Sequence, residues 1–366
     1  MTAPERLSQM NNPQSKGGKK LFPELNNLSS SIQHFHKYHG YGDIFTPPGG
    51  FQSVVTKDYV VCSCYGEDPS QTLTEFEKLN DKKMIFISPC RHTDFQNTKS
   101  KIIYFPLGYA LYPRSEDNKP DQELLFNRTF DKTFVSLNGR AHWPRQALYE
   151  FIDKFNLYDK CYFSYHAEDR YSRPPREVWN VMRKDIGDAW FNEGVDQESL
   201  FDRVPVTVDS FRTGVSDPFT HQFSGRADFY NTSFCSVVAE TFIVNDKDAV
   251  FTEKIFKPLS YGHPFLVFSS QGALAKLKEL GFETFDAIFD ESYDDIENPQ
   301  LRFETMLKQL LELTKKSDHE LSLMFEKIKP VLEHNYDRFW NGLSKDYENK
   351  LEDVKEEILD YFGIDK

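Results

Sequence analysis

The chain has 366 residues, 39% hydrophobic and 15% aromatic, enough for two domains with separate cores. With 57 acidic against 44 basic residues it carries a net charge of -13, which argues against a broad electrostatic grip on nucleic acid but leaves room for a local basic groove. No apolar run approaches the roughly 18 residues of a membrane span.

Residues 1–20 are polar, lack the apolar core of a signal peptide and read as a flexible N-terminus. The five cysteines are irregularly spaced and suggest neither a disulfide framework nor a zinc site, so a cytoplasmic location is expected. Residues 31–50 hold His34, His36, His39, Tyr41 and Asp43 before the turn signal Pro47-Pro48-Gly49-Gly50. The histidines lack the helical His-x-x-x-His spacing, so the stretch reads as an acceptor-side loop and no metal is expected. Strands are expected over 57–65, 83–88 and 102–107, with a short helix over 70–80. Cys62 and Cys64, two apart on the first of these, share a face. Pro89 through Asp94 follow the second strand directly, where α/β domains place site residues.

A further strand over 132–138 runs into Asn138-Gly139-Arg140-Ala141-His142-Trp143-Pro144-Arg145 and a helix over 146–155, with Pro144 suited to its first turn. Arg140, His142 and Arg145 therefore sit near a strand end. Each arginine can meet a phosphate bidentately or form a surface ion pair. A strand over 161–165 leads to a basic loop with Arg170, Arg173 and Arg176, placed along a donor cleft or against an anionic acceptor. Residues 177–203 read as an irregular linker and the crossing between domains. Arg212 and Arg226 lie beyond it, before the next strand.

The most informative stretch is Phe234 to Phe285, which reads as strand, loop, helix, strand, helix. An apolar run ends at Glu240. Thr252 can cap a helix carrying Glu253, Lys254, Ile255, Phe256 and Leu259, and Gly262 ends it. The strand 265–268 and a helix from Gly272 to before Gly281 follow. A lysine in a first helical turn opposes the helix dipole, and a bound diphosphate would compensate. Glu253 can accept hydrogen bonds from ribose or sugar hydroxyls. The alternative is a solvated cap with an exposed charge. Glu240 can fix sugar hydroxyls or cap backbone amides. Beyond an acidic patch over 286–295, helices are expected over 302–313, within 318–346 with Pro330 as a break or first-turn residue, and over 351–362.

Glu240, Thr252, Glu253, Lys254 and Pro264, in the segment ET…FTEKIFKPLSYGHPFLV, resemble the donor-binding half of GT-B glycosyltransferases. The fucosyltransferase-like family and related viral and bacterial glycosyltransferase-like proteins are closest. The resemblance implies two Rossmann-like α/β domains with a cleft between them and a C-terminal helix returning to the first. It implies boundaries of 21–190 for an acceptor-side domain, 191–345 for the donor domain and 346–366 for the helix. It implies transfer of a sugar from a GDP- or UDP-linked donor to a hydroxyl of a glycan or related molecule, without a metal or other cofactor. In that family the Glu of Thr-Glu-Lys binds the donor ribose and the Lys its phosphates, roles that fall here on Glu253 and Lys254. The family also neutralises donor phosphate with an arginine from this half of the chain, for which Arg212 and Arg226 are the candidates. A general base would come from the first domain, with Asp43, Asp94 and His142 as candidates. The competing readings are a DNA-base-modifying glycosyltransferase and a non-catalytic nucleotide-sugar-binding protein. A Gly-rich dinucleotide fingerprint is absent, which argues against a dehydrogenase.

Overall fold

The structure is a computed structural model that describes residues 25, 28–37, 51–53, 55–64, 70–88, 98–105, 119–168, 173–208, 227–240, 243 and 251–365. Its first unit carries β1 (Ile32–Lys37), β2 (Tyr59–Cys64), α1 (Ser70–Phe76), β3 (Lys83–Ser88) and β4 (Lys101–Tyr104). These strands form one parallel sheet in the order β1-β2-β3-β4. The stretch expected as an acceptor-side loop thus begins as an edge strand. Its alternation of Ile32, His34 and His36 with Gln33, Phe35 and Lys37 suits a strand with mixed faces better than a loop.

After α2 (Gln122–Phe126) come β5 (Lys132–Arg140), α3 (Trp143–Lys154), β6 (Cys161–Glu168), α4 (Pro175–Ile186) and α5 (Gln197–Asp202). Then follow α6 (Ala227–Asn231), β7 (Ser233–Ala239), α7 (Glu253–Ser260), β8 (Phe265–Phe268) and α8 (Ala273–Glu279). The second sheet is also parallel, in the order β6-β5-β7-β8. The protein is therefore a mixed α/β molecule, whose described residues form two four-stranded parallel sheets in a coarse Rossmann-like arrangement.

The sheets divide between β4 and β5, so β5 and β6, assigned from the sequence to the first unit, share a sheet with β7 and β8 instead, through the pairing of β5 with β7. The supposed linker 177–203 contains α4 and α5. Its aromatic residues are core: Trp179 and Phe191 are each 1% exposed and pack beneath the second sheet. A linker has no reason to carry such side chains.

The chain ends with α9 (Pro299–Thr314), α10 (Asp318–Asp337) and α11 (Leu343–Phe362), the last two joined by a π-turn over Arg338–Gly342. Pro330 lies inside α10 on its exposed side, where the carbonyl that loses its partner stays open to water. At the π-turn Arg338 donates from Nε to the Leu280 carbonyl (2.8 Å) and pairs with Asp346. Gly281 (φ +80°) and Gly342 make room for this guanidinium, since a Cβ on either would lie 2.7 or 2.6 Å from its nitrogens.

β2 and β3 are buried on both faces, as parallel strands must be. Val60, Cys62, Met84 and Phe86 pack with Leu73 and Phe76 of α1. Val61, Ile85, Ile87 and Ile103 pack with Leu351, Val354, Ile358 and Phe362. Those four lie at helical spacing on one stripe of α11, each contributing about 1.5–3 kcal/mol by burial. The same helix begins in the second core through Leu343, so it crosses from one unit to the other. Tyr347 meets Phe105 edge-on (5.7 Å), and Lys276 of α8 lies 5.2 Å from the ring of Tyr104, at the carboxyl end of β4.

Candidate functional site

From β5 the chain turns back through α3 to β6 on one side; β7 and β8 lie on the other. This order puts a topological switch point between the carboxyl ends of β5 and β7, where open parallel sheets leave a crevice. Every residue of β7 is buried, as its apolar run SFCSVVA dictates. The next residue, Glu240, is 0% exposed, and its backbone N–H still donates to the Phe268 carbonyl of β8 (2.9 Å).

A carboxylate at such a position needs donors. Its Oε1 accepts from the backbone N–H of Thr252 (3.2 Å) and of Ile255 (3.3 Å). Its Oε2 accepts from Thr252 Oγ1 (2.5 Å). Of the two roles open to Glu240, capping of backbone amides is the one seen. Thr252 is the N-cap of α7, with extended backbone (φ -111°, ψ -173°). Its Oγ1 also accepts from the Lys254 backbone N–H (3.4 Å) and from Lys254 Nζ (3.0 Å). A chain of hydrogen bonds thus runs from the sheet end through Thr252 to the lysine. Glu253 is the first residue of α7, and its carboxylate lies outside the described atoms.

Lys254 opens onto a cleft lined by Ser136, Asn138, Tyr230, Ser236, Lys257 and Pro258, among others. The strand ends beside it are tied together. Ser136 Oγ donates to the Val237 carbonyl (2.7 Å), and Asn138 Nδ2 donates to Ser136 Oγ (3.0 Å). Arg145 is 2% exposed and donates to the carbonyls of Arg140 (3.0 Å) and Ala239 (3.1 Å), stapling the end of β5 to that of β7. Both terminal nitrogens of its guanidinium thus hold backbone carbonyls, and at this depth it is not on the surface.

Arg128 fixes the far end of α7. It donates to the carbonyls of Leu125 (2.5 Å), Tyr230 (2.9 Å), Tyr261 (3.1 Å) and Gly262 (2.8 Å). Tyr230 in turn stacks on Tyr261 at 4.5 Å and 4°. Beside them His263 is buried. Burial first, then the Arg128 charge, holds its pKa well below the usual value, so it is neutral. Neutral His263 donates from Nε2 to the Ser233 carbonyl (2.9 Å), and Nδ1 accepts from Ser236 Oγ (2.8 Å). The floor of the cleft is thus a set of fixed polar groups.

Arg140, His142, Glu240, Thr252 and Lys254 are all brought to this end of the second sheet. Arg140 closes β5 and is half-buried; His142 is the backbone N-cap of α3, half-buried, with no capping bond from its side chain. Asp43, Asp94, Arg212 and Arg226 lie outside the described residues, as does Arg170. Arg176 is placed on α4, with its guanidinium 3.7 Å from the centre of the Phe201 ring and paired with Glu198 (2.7 Å). Sequence reasoning missed Asn138, Tyr230 and Lys257 as cleft residues. Lys257 carried a readable signal, because it stands three residues after Lys254 and shares its side of the helix.

Among the described residues no group of three or more His, Cys, Asp or Glu side chains is placed to hold a metal ion. Among them, too, no helix is long and apolar enough to cross a membrane. Comparison with protein-family models, with curated proteins and with solved structures found no match.

Proposed function

We propose that the protein is a glycosyltransferase of the GT-B kind, with its nucleotide-sugar donor held by the second unit at the switch point. The observation that carries this reading is the chain Glu240–Thr252–Lys254. It spends a buried carboxylate on fixing a helix start and a lysine beside a cleft at the carboxyl ends of β5 and β7. A helix N-terminus and an ammonium facing one crevice suit an anion. The resemblance of this segment to fucosyltransferase-like donor motifs makes that anion a nucleoside diphosphate.

In this reading the acceptor hydroxyl oxygen bonds to the anomeric carbon as the bond from that carbon to the diphosphate oxygen breaks. The bonding electrons leave with the diphosphate, and Lys254 stabilises the charge that develops there. The acceptor proton passes to a base, for which His142 is the described candidate. The donor is GDP- or UDP-linked, and the acceptor is a hydroxyl of a glycan or a related molecule.

The test is a calorimetric or thermal-shift panel of GDP-, UDP-, CMP- and dTDP-sugars on wild type and Lys254→Ala. A response to one nucleoside diphosphate sugar that Lys254→Ala weakens is expected. Silence toward every donor at concentrations far above ordinary affinities would remove the donor site.

A further inference from the structure

Glu150 lies in the middle of α3 and is 0% exposed. A carboxyl group at such depth is either paired as an anion or kept neutral by its proton. Its Oε1 accepts from Gln146 Nε2 (3.4 Å). That amide nitrogen also donates to the Trp179 carbonyl (3.3 Å), and Gln146 Oε1 accepts from Tyr165 Oη (3.4 Å), so both N–H groups of Gln146 are used. Among the described residues Glu150 Oε2 has no hydrogen-bond partner. Nε of Arg183, on α4, stands 3.7 Å from it, too far for a hydrogen bond. The same guanidinium donates from Nη1 to the carbonyl of Gly187, the C-cap of α4 (2.6 Å). Gln197, the first residue of α5, lies beside the carboxyl group, and its Oε1 and Nε2 are likewise buried with no partner among the described residues.

The charged and titratable groups facing Glu150 are Arg183 from α4 and Tyr165 from β6, while α5 presents the neutral amide of Gln197. Burial raises the pKa of Tyr165, so its phenol stays neutral. Burial also raises that of Glu150, against the Arg183 charge.

We infer that Glu150 is a proton-operated switch between α4 and α5. As the acid, its Oε2–H donates to Gln197 Oε1 and ties α3 to the start of α5; as the anion, it releases that oxygen and closes on Arg183. On ionisation the O–H bond breaks, its electron pair stays on Oε2 and the proton passes to solvent. A carboxylate cannot donate, its charge repels the amide oxygen, and it attracts the guanidinium. Closing on Glu150 draws Arg183 from the Gly187 carbonyl, which Asn192 Nδ2 also holds (2.9 Å). The proton therefore sets how the connection 187–196 is held. Trp190 and Phe191 of that connection pack edge-on against Phe151, the neighbour of Glu150 on α3.

The test combines infrared difference spectroscopy across pH with hydrogen exchange of residues 187–199, on the full chain, for wild type, Glu150→Gln and Gln197→Leu. In wild type the carbonyl band of a protonated carboxyl group is expected to persist above the ordinary 4.5 and fade as pH rises further. Over the same range the protection of 187–199, corrected for the intrinsic pH dependence of exchange, is expected to fall about fivefold, the worth of one hydrogen bond. Glu150→Gln keeps an N–H for Gln197 Oε1 and should lack both the band and the step. Gln197→Leu should shift the band and abolish the step. Because it leaves Glu150 in place, it decides the question should Glu150→Gln not fold. The inference is overturned if wild type has no such band, if Glu150→Gln retains it, or if Gln197→Leu leaves it unmoved. A wild-type protection independent of pH, or a step that survives in either variant, also overturns it.

Discussion

Replacing Glu240 by alanine tests whether the candidate site is built on a buried carboxylate. Among the described residues Glu240 accepts from Thr252 N, Ile255 N and Thr252 Oγ1, and it is fully shielded from water. Truncation strands the two amides and leaves the hydroxyl to find a new partner. Each buried donor left without an acceptor costs about 1–3 kcal/mol. Some water entry into the space vacated brings the expected total for Glu240→Ala to about 3–5 kcal/mol. Glu240→Gln keeps an oxygen for the two amides but turns the bond with Thr252 around, at about 1–2 kcal/mol. The assay is urea unfolding followed by tryptophan fluorescence. All four tryptophans of the chain, Trp143, Trp179, Trp190 and Trp340, belong to the core of the second unit, so the signal reports that unit alone. A loss under about 1 kcal/mol for alanine, or a glutamine variant as damaging as the alanine one, would refute the reasoning.

Thr252→Val removes the N-cap and the link to Lys254, and should cost about 1–2 kcal/mol in the same assay, with Thr252→Ser close to wild type. Glu150 is fully buried, and desolvation raises its pKa above the ordinary 4.5 despite the Arg183 charge and the bond that Gln146 Nε2 donates to it. A carboxyl group raised on folding binds its proton more tightly in the native state. Its stabilising contribution is complete below 4.5 and is lost as pH rises through the folded value. Glu150→Gln should therefore flatten the decline of stability above that pH and raise Tm at pH 8, measured by calorimetry across pH. Gly281→Ala imposes a Cβ 2.7 Å from Arg338 Nε at φ +80°, whereas Gly363→Ala (φ +68°) meets open space. The second should cost about 1 kcal/mol of backbone strain, and the first clearly more.

The strands were legible because their composition leaves little choice. β3 and β8 match their expected ends, since KMIFIS and FLVF are apolar runs bounded by turn residues. The segment 177–203 was not, because α4 buries only Val178, Trp179 and Ile186, a narrow stripe among charged neighbours that periodicity reads as irregular. The assignment of β5 and β6 to the second sheet was not legible either. Parallel strands joined by helices look the same whichever sheet they enter, and only hydrogen bonding between distant segments decides. β1 was obscured by its histidines. His34 is in fact used within the sheet, with Nε2 2.7 Å from Ser63 Oγ.

The site residues divide in the same way. Glu240, Thr252 and Lys254 were visible because a carboxylate at a strand end and a Thr-Glu-Lys helix start announce themselves locally. What the local pattern does not distinguish is a residue that would touch a ligand from one that holds such a residue in place. Glu240, just past the end of β7, and Arg145, in the first turn of α3, are both polar and both turn inward onto backbone groups. Among the described residues, Lys254 and Lys257 of this stretch line the cleft. An interior carboxylate and an interior guanidinium each lose their hydration on burial, a cost offset here by fixing backbone groups at the switch point. On the proposed donor reading, the acidic residue before the Thr-Glu-Lys start is the support of the helix proposed to meet the phosphates. In that role, Glu240→Gln should weaken nucleotide binding by loosening Thr252 and Lys254 without removing any contact to the sugar.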